Sequence, residues 1–187
     1  TAFDICGNPS SVHAEGRAAK AVVERARAQI SAAFGADGAE IVFTSGATEA
    51  AAMACAGRNL LAADIEHDSV TAWTQVTLPV RASGAVEIAE PARSVLQMAN
   101  SETGIIQVLP KRLAVTDATQ ALGKLPVAFN WLNVDVALIS AHKIGGPKGV
   151  GALLLRRGVD LAARIKGGGQ EMGRRAGTEN VVAIAGF

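Results

Sequence analysis

Residues 134–149 read Val-Asp-Val-Ala-Leu-Ile-Ser-Ala-His-Lys-Ile-Gly-Gly-Pro-Lys-Gly. The run Val134–Ser140 is almost wholly apolar, as expected for a strand covered on both faces. It ends in a hydroxyl, an imidazole and an amine, and then opens into glycines. Working outward, further strands are expected at Val150–Leu155, Leu113–Val115, Val95–Met98, Ala85–Ile88, Val76–Val80 and Glu40–Phe43. Residues 11–34 place Val12, Ala19, Val22, Val23, Ala26, Ile30 and Ala33 on one helical stripe, with Ser10 or Ser11 as N-cap and Gly35 as stop. A second, alanine-rich helix is expected from Ala47 to about Leu61. Strands alternating with helices predict an α/β fold, a mostly parallel sheet flanked by helices. No repeat or linker divides the chain, so residues 1–187 read as one domain.

Composition narrows the classes. The 187 residues are 49% hydrophobic and 19% charged, so the chain buries a core. With 18 basic and 17 acidic residues the formal charge is +1, which removes the footprint of a general nucleic-acid binder. Two cysteines, Cys6 and Cys55, support neither a disulfide scaffold nor a Cys-only zinc site, and no metal site is expected. Both read as buried or incidental small apolar residues. No apolar run is long enough to span a bilayer, and no membrane partner is expected. A soluble protein of a reducing, cytoplasmic compartment fits these features.

Four places carry chemistry. The strand ending at Phe43 runs through Thr44-Ser45-Gly46 into a helix whose first residues are Ala47 and Thr48, a setting that suits a phosphate or a plain helix cap. Lys143, behind Ser140 and His142, has the strand-end position that a Schiff-base lysine needs, or is an ordinary loop lysine. Asp117, after Leu113–Val115, could pair with a cationic ring nitrogen or cap a helix beginning at Ala118. His67, in Glu66-His67, could stack on a flat cofactor or be a satisfied structural residue. Together they supply an amine, an acid for a ring nitrogen, a stacking imidazole and a phosphate cradle, which is the set that pyridoxal phosphate requires.

Longer motifs make the pattern specific. Gly7-Asn8-Pro9-Ser10-Ser11-Val12-His13, Ile41–Glu49, Glu66-His67, Glu102-Thr103-Gly104, Asp117-Ala118-Thr119-Gln120, Ser140–Lys143 with Gly146–Gly149, Gly167–Glu171 and Arg175–Asn180 occur in this order. In that order the chain resembles the cysteine desulfurases of NifS/IscS type, with class V aminotransferase architecture. The resemblance implies a pyridoxal-phosphate-binding large domain. Lys143 would carry the cofactor, Asp117 would pair with the pyridine nitrogen, His67 would stack over the ring, and Gln120 would contact the phenolic oxygen. Ala47, Thr48, Ser140 and His142 would hold the phosphate. Thr178 would reach the phosphate of a partner subunit, so a homodimer with shared sites is implied.

The implied reaction removes sulfur from L-cysteine, leaving alanine and a persulfide that passes to a sulfur-acceptor scaffold for iron–sulfur or thio-cofactor assembly. The pattern also departs from the family. Ser101 stands where a second asparagine is common, and Met172 and Ala176 replace a common arginine and serine. The connections Leu61–Glu66 and Gly104–Asp117 are short. The family's N-terminal segment and C-terminal small domain, with its sulfur-accepting cysteine and carboxylate-binding arginine, are expected to lie outside residues 1–187. Alternatives are a catalytically incomplete binding or assembly module, and another class V lyase or aminotransferase.

Overall fold

The computed structural model describes residues 2–187. Its first long element is α1 (Ala14–Ala33), whose buried side chains Ala19, Val22, Val23, Ala26 and Ile30 follow the expected stripe, whereas Val12 lies before the helix and is exposed, as is Ala33 at its end. The cap differs from the expectation. His13, not Ser10 or Ser11, caps α1, its Nδ1 accepting the Gly16 N–H at 3.3 Å. Ser11 is instead held in the preceding turn, its N–H donating to the Asn8 carbonyl.

β1 (Glu40–Thr44) leads into α2 (Ala47–Cys55), which ends well before Leu61. Gly57 and Asn59 take positive φ there and turn the chain out of the helix. Leu61 therefore belongs to β2 (Leu61–Ala62), followed by α3 (Asp68–Thr71) and β3 (Gln75–Val76). β4 (Val95–Gln97), β5 (Leu113–Asp117), α4 (Phe129–Leu132), β6 (Val134–Ser140), β7 (Gly151–Leu155) and α5 (Val181–Ala185) complete the order.

Two expected strands are not formed. Of Val76–Val80 only Val76 lies in a strand, paired in a two-stranded sheet with β2, and Ala85–Ile88 contributes a single Val80–Val86 bridge. Both segments run along the surface, where no long neighbour offers a ladder, and Pro79 lacks an N–H to donate. Residues 119–124 are turns rather than a helix. Gly123 sits at φ +70° and Pro126 follows closely, which interrupts helical propagation.

The main sheet has the order β1-β7-β6-β5-β4. β4, β5 and β6 pair in parallel, and β7 is antiparallel to both β6 and β1. β7 alone is therefore reversed, and the sheet is mixed but mostly parallel. One face packs Ile41, Phe43, Ala137, Ile139 and Leu154 with α1, α5, Phe34 and Phe129. The other packs Val42, Val115, Val136, Leu138 and Leu153 against α2 and Val70 of α3.

Register brings the strand ends together. Gln97 pairs with Asp117, Asp117 with Leu138, and both Ser140 and Thr44 with Gly151. A Cβ at Gly151 would lie 2.8 Å from the Gly46 backbone and 2.7 Å from the Ile139 carbonyl. Only glycine lets the β1–α2 turn close over the sheet at this point. Among the described residues no helix is long and apolar enough to cross a membrane.

Candidate active site

A cavity of about 600 Å³ opens at the carboxyl ends of β1, β4, β5 and β6, where ligands gather in open α/β sheets. Ser45, Gly46, Ala47 and Thr48 line it from the β1–α2 turn, and His67 and Ser69 from the start of α3. Gln97, Ala99, Ser101 and Glu102 close the β4 side, with Asp117, Thr119 and Gln120 on the floor. Ser140, His142, Lys143, Lys148 and Gly149 form the remaining wall. Of the residues expected from sequence, Ala47, Thr48, His67, Asp117, Gln120, Ser140, His142 and Lys143 thus share one cavity. Thr178 does not border it. It lines a second cavity of about 190 Å³, which shares Ser45 and Gly149 with the first.

Local structure orients each group. Asp117 is the last residue of β5, and its Oδ1 accepts the Thr119 N–H at 2.9 Å. Burial lifts the Asp117 carboxyl above the usual aspartate range, while hydrogen bonds from Thr119 and the nearby His67 and Lys143 pull it back. His67 caps α3. Its Nδ1 accepts the Ser69 N–H at 3.1 Å and lies 2.8 Å from Ser69 Oγ, which leaves Nε2 as the uncommitted nitrogen. His142 Nδ1 lies 2.9 Å from Ser140 Oγ. Lys124 Nζ donates to Gln120 Oε1 at 3.2 Å, so that lysine is tied to the rim. Lys143 and Lys148 both reach the cavity, but Lys143 is the one whose charge acts on Asp117.

The cradle is held from outside. Glu49 Oε2 accepts the Ser45 N–H at 2.8 Å, and Arg175 Nε donates to Glu49 Oε1 at 2.8 Å. Burial works to raise the Glu49 carboxyl, but hydrogen bonds from Arg175 and Ser45 outweigh it and keep the group below the ordinary glutamate range. Arg27 forms a two-pronged pair with Glu171, both contacts at 2.9 Å, and Glu171 Oε2 also accepts the Phe43 N–H at 2.7 Å. The Arg27 guanidinium lies 4.8 Å from the Phe43 ring centroid. These bonds anchor Glu171, which with Met172 takes φ of +47° and +59°, a conformation that costs about 1–2 kcal/mol per non-glycine residue. Two ion pairs therefore fasten the segment that leads to Thr178, one to Arg27 of α1 and one to Glu49 of α2.

Over residues 3–187 the chain matches the aminotransferase class-V family. It belongs to that family. Among curated relatives, a cysteine desulfurase of Frankia sp. (strain EuIK1) is 39% identical, over 96% of this chain and 54% of that protein. Cysteine desulfurase IscS 1 of Archaeoglobus fulgidus is 40% identical, over 97% of this chain and 56% of that protein. The class-V chain thus spans about half the length of the curated relatives it matches. Among solved structures, a NifS-like protein from Rickettsia africae ESF-5 superposes with a TM-score of 0.86 at 32% identity, covering 98% of this chain and 60% of that one. SspA, solved in complex with cysteine, superposes with a TM-score of 0.84 at 30% identity, covering 98% of this chain and 63% of that one.

Class-V aminotransferases are, as a family, pyridoxal-phosphate enzymes, and the residues here fit that group. Gly46 gives the N-terminus of α2 no side-chain cap, so the first-turn N–H groups of Ala47 and Thr48 are left for an anion. Among the described residues Lys143 Nζ makes no hydrogen bond or ion pair, and the buried Asp117 carboxyl suits a cationic ring nitrogen.

Several contributors were not found by sequence reasoning. Gln97 donates its side-chain amide to the Ile65 carbonyl at 2.8 Å, and Asn100 does the same at 3.0 Å, so together they hold the segment that carries His67. Asn100 Oδ1 also accepts the Glu102 and Thr103 N–H groups, at 2.9 and 2.8 Å, shaping the turn where Ser101 meets the cavity. A short Gly-flanked turn after β4 was the available signal for Asn100. Nothing local marks Gln97, and Glu171 and Arg175 stand within the motifs Gly167–Glu171 and Arg175–Asn180 without a role that the sequence assigns.

Cys55 is fully buried, and burial pushes its thiol up to about 12. Cys6 is exposed rather than buried. Neither lines the cavity.

Proposed function

We propose that this chain is the pyridoxal-phosphate-binding large domain of a cysteine desulfurase, which removes sulfur from L-cysteine to leave alanine and a persulfide. The observation that carries the reading is the meeting of Lys143, Asp117 and His67 with the Ala47–Thr48 cradle in one cavity. The names of the relatives support the same substrate class, as does a structural neighbour solved with cysteine.

Pyridoxal phosphate, when bound, supplies an electron sink for charge developing on the substrate. Lys143 Nζ would be the point of attachment and would serve as the base that moves a proton at the substrate α-carbon. Asp117 holds a proton on the ring nitrogen. His67, its orientation fixed by Ser69, would stack on the ring, and Gln120 would contact the phenolic oxygen. Ala47, Thr48, Ser140 and His142 hold the phosphate, aided by the positive end of α2.

Thr178 reaches the phosphate of a neighbouring copy. Its place on a second cavity, away from its own protomer's Lys143, favours this arrangement in a homodimer. The sulfur acceptor is a thiolate from outside this cavity, because Cys55 is sealed and Cys6 lies elsewhere. Transfer onward to a scaffold protein in the cytoplasm completes the reading.

The same distribution of cysteines favours a second reading, a binding module without turnover. Alanine and sulfide formation from L-cysteine by the cofactor-loaded protein separates the two. Multiple turnovers that vanish in Lys143→Ala support the desulfurase, whereas cofactor loading with no alanine supports the binding module.

A further inference from the structure

Thr119 stands two residues beyond Asp117 on the cavity floor. It is 9% exposed, yet it lines the cavity. Its backbone N–H already serves Asp117 Oδ1 at 2.9 Å. Its hydroxyl oxygen is buried and makes no hydrogen bond of good geometry, yet it lies near enough to the Asp117 carboxyl to favour its ionised form. An unpaired buried hydroxyl is costly, so such an atom beside a reactive group points to a bond made when the site works. A threonine side chain has two accessible χ1 states and can turn its hydroxyl without moving the backbone.

The groups acting on Asp117 come from several elements. His67 at the start of α3 and Lys143 beyond β6 favour its ionised form. Glu66 before α3 and the Cys55 thiol of α2 lie within electrostatic reach. None of these donates a hydrogen bond to the carboxylate. Resting on the cofactor reading above, we propose that the Thr119 hydroxyl is a positioning group that donates to the Asp117 carboxylate and holds it ionised toward the ring nitrogen.

Valine keeps the branched shape of threonine without the hydroxyl, and serine keeps the hydroxyl without the methyl. The titration of Asp117 is followed by carboxyl carbon resonance in protein labelled at aspartate, with Asp117→Asn identifying the signal. Thr119→Val is expected to raise the midpoint by about one pH unit, and Thr119→Ser to restore it. A wild-type midpoint in Thr119→Val overturns the proposal, as does a Thr119→Ser protein that behaves like the valine variant. With pyridoxal phosphate added, Thr119→Val is expected to lose affinity by about tenfold, most at the acid end. It should change nothing further in an Asp117→Asn background, and an undiminished effect there also overturns the proposal. If the wild-type protein takes up no cofactor while the hydroxyl still governs the Asp117 titration, the functional reading fails and the Thr119–Asp117 pairing stands.

Discussion

Asp117 and Glu66 are both carboxyls drawn out of bulk water near the same strand ends, and their surroundings assign them opposite work. Glu66 faces the packed layer behind the cavity. Its Oε1 accepts the Gln97 N–H at 2.7 Å, while Oε2 is buried without a partner. Burial pushes its carboxyl up to about 8, so at neutral pH it is mostly protonated and acts as a structural clamp beside His67. Asp117 faces the cavity instead. Burial lifts it too, but Thr119, His67 and Lys143 act against the lift, and a cationic ring would complete the set. Chemistry is assigned here by access to a cavity and by the sign of the neighbours, and burial alone does not decide it.

Removing the charge on the cavity side is expected to have the largest effect. Asp117→Asn should lower turnover by about 10²–10³-fold, since it removes a preorganised charge from the reacting group. Folding should change little, because asparagine accepts the Thr119 N–H equally well. Kinetics and thermal melting measured on one preparation check both halves. A large melting shift with intact turnover would make Asp117 structural and erase the contrast with Glu66.

The closed side is expected to show itself in pH dependence. Glu66 has a folded pKa of about 8, raised above its ordinary value of 4.5, so the folded state holds the proton more tightly than the unfolded chain. Its contribution is fully present below about pH 4.5 and is lost as pH rises through about 8, some 3 kcal/mol between pH 5 and 8. Glu66→Gln should remove most of that slope in denaturant titrations at several pH values. A variant with the wild-type slope would show that Glu66 is ionised in the folded protein.

A smaller effect is expected at the outer support. Glu49→Gln weakens the Arg175 contacts and should cost about 2 kcal/mol of stability, with weaker phosphate binding at the cradle. The smallest effect is expected behind the cavity. Cys55→Ala removes a buried sulfur and should cost about 1 kcal/mol, leaving cofactor uptake unchanged. Lost uptake in that variant would bring Cys55 into the site.

The sequence carried β6 without error, because seven mostly apolar residues between polar groups admit few other readings. It also carried the cavity residues that sit next to glycines or strand ends, such as Thr48, Asp117 and Lys143. What it missed depends on distance along the chain. Arg175 meets Glu49 across 126 positions and Arg27 meets Glu171 across 144, and no local pattern announces either pair. The expected helix after Asp117 failed for a local reason, since the aspartate side chain takes the Thr119 N–H and Gly123 then breaks the run. The expected strand Val76–Val80 failed because a strand needs a neighbour, and its apolar residues lie on the surface.

The central claim is that the cavity at the strand ends carries pyridoxal phosphate on one particular amine. Borohydride reduction of the cofactor-treated protein, followed by peptide mapping, tests it most directly. A phosphopyridoxyl group on Lys143 is the expected result. The same group on Lys148 or Lys124, or on no lysine at all, would contradict the account.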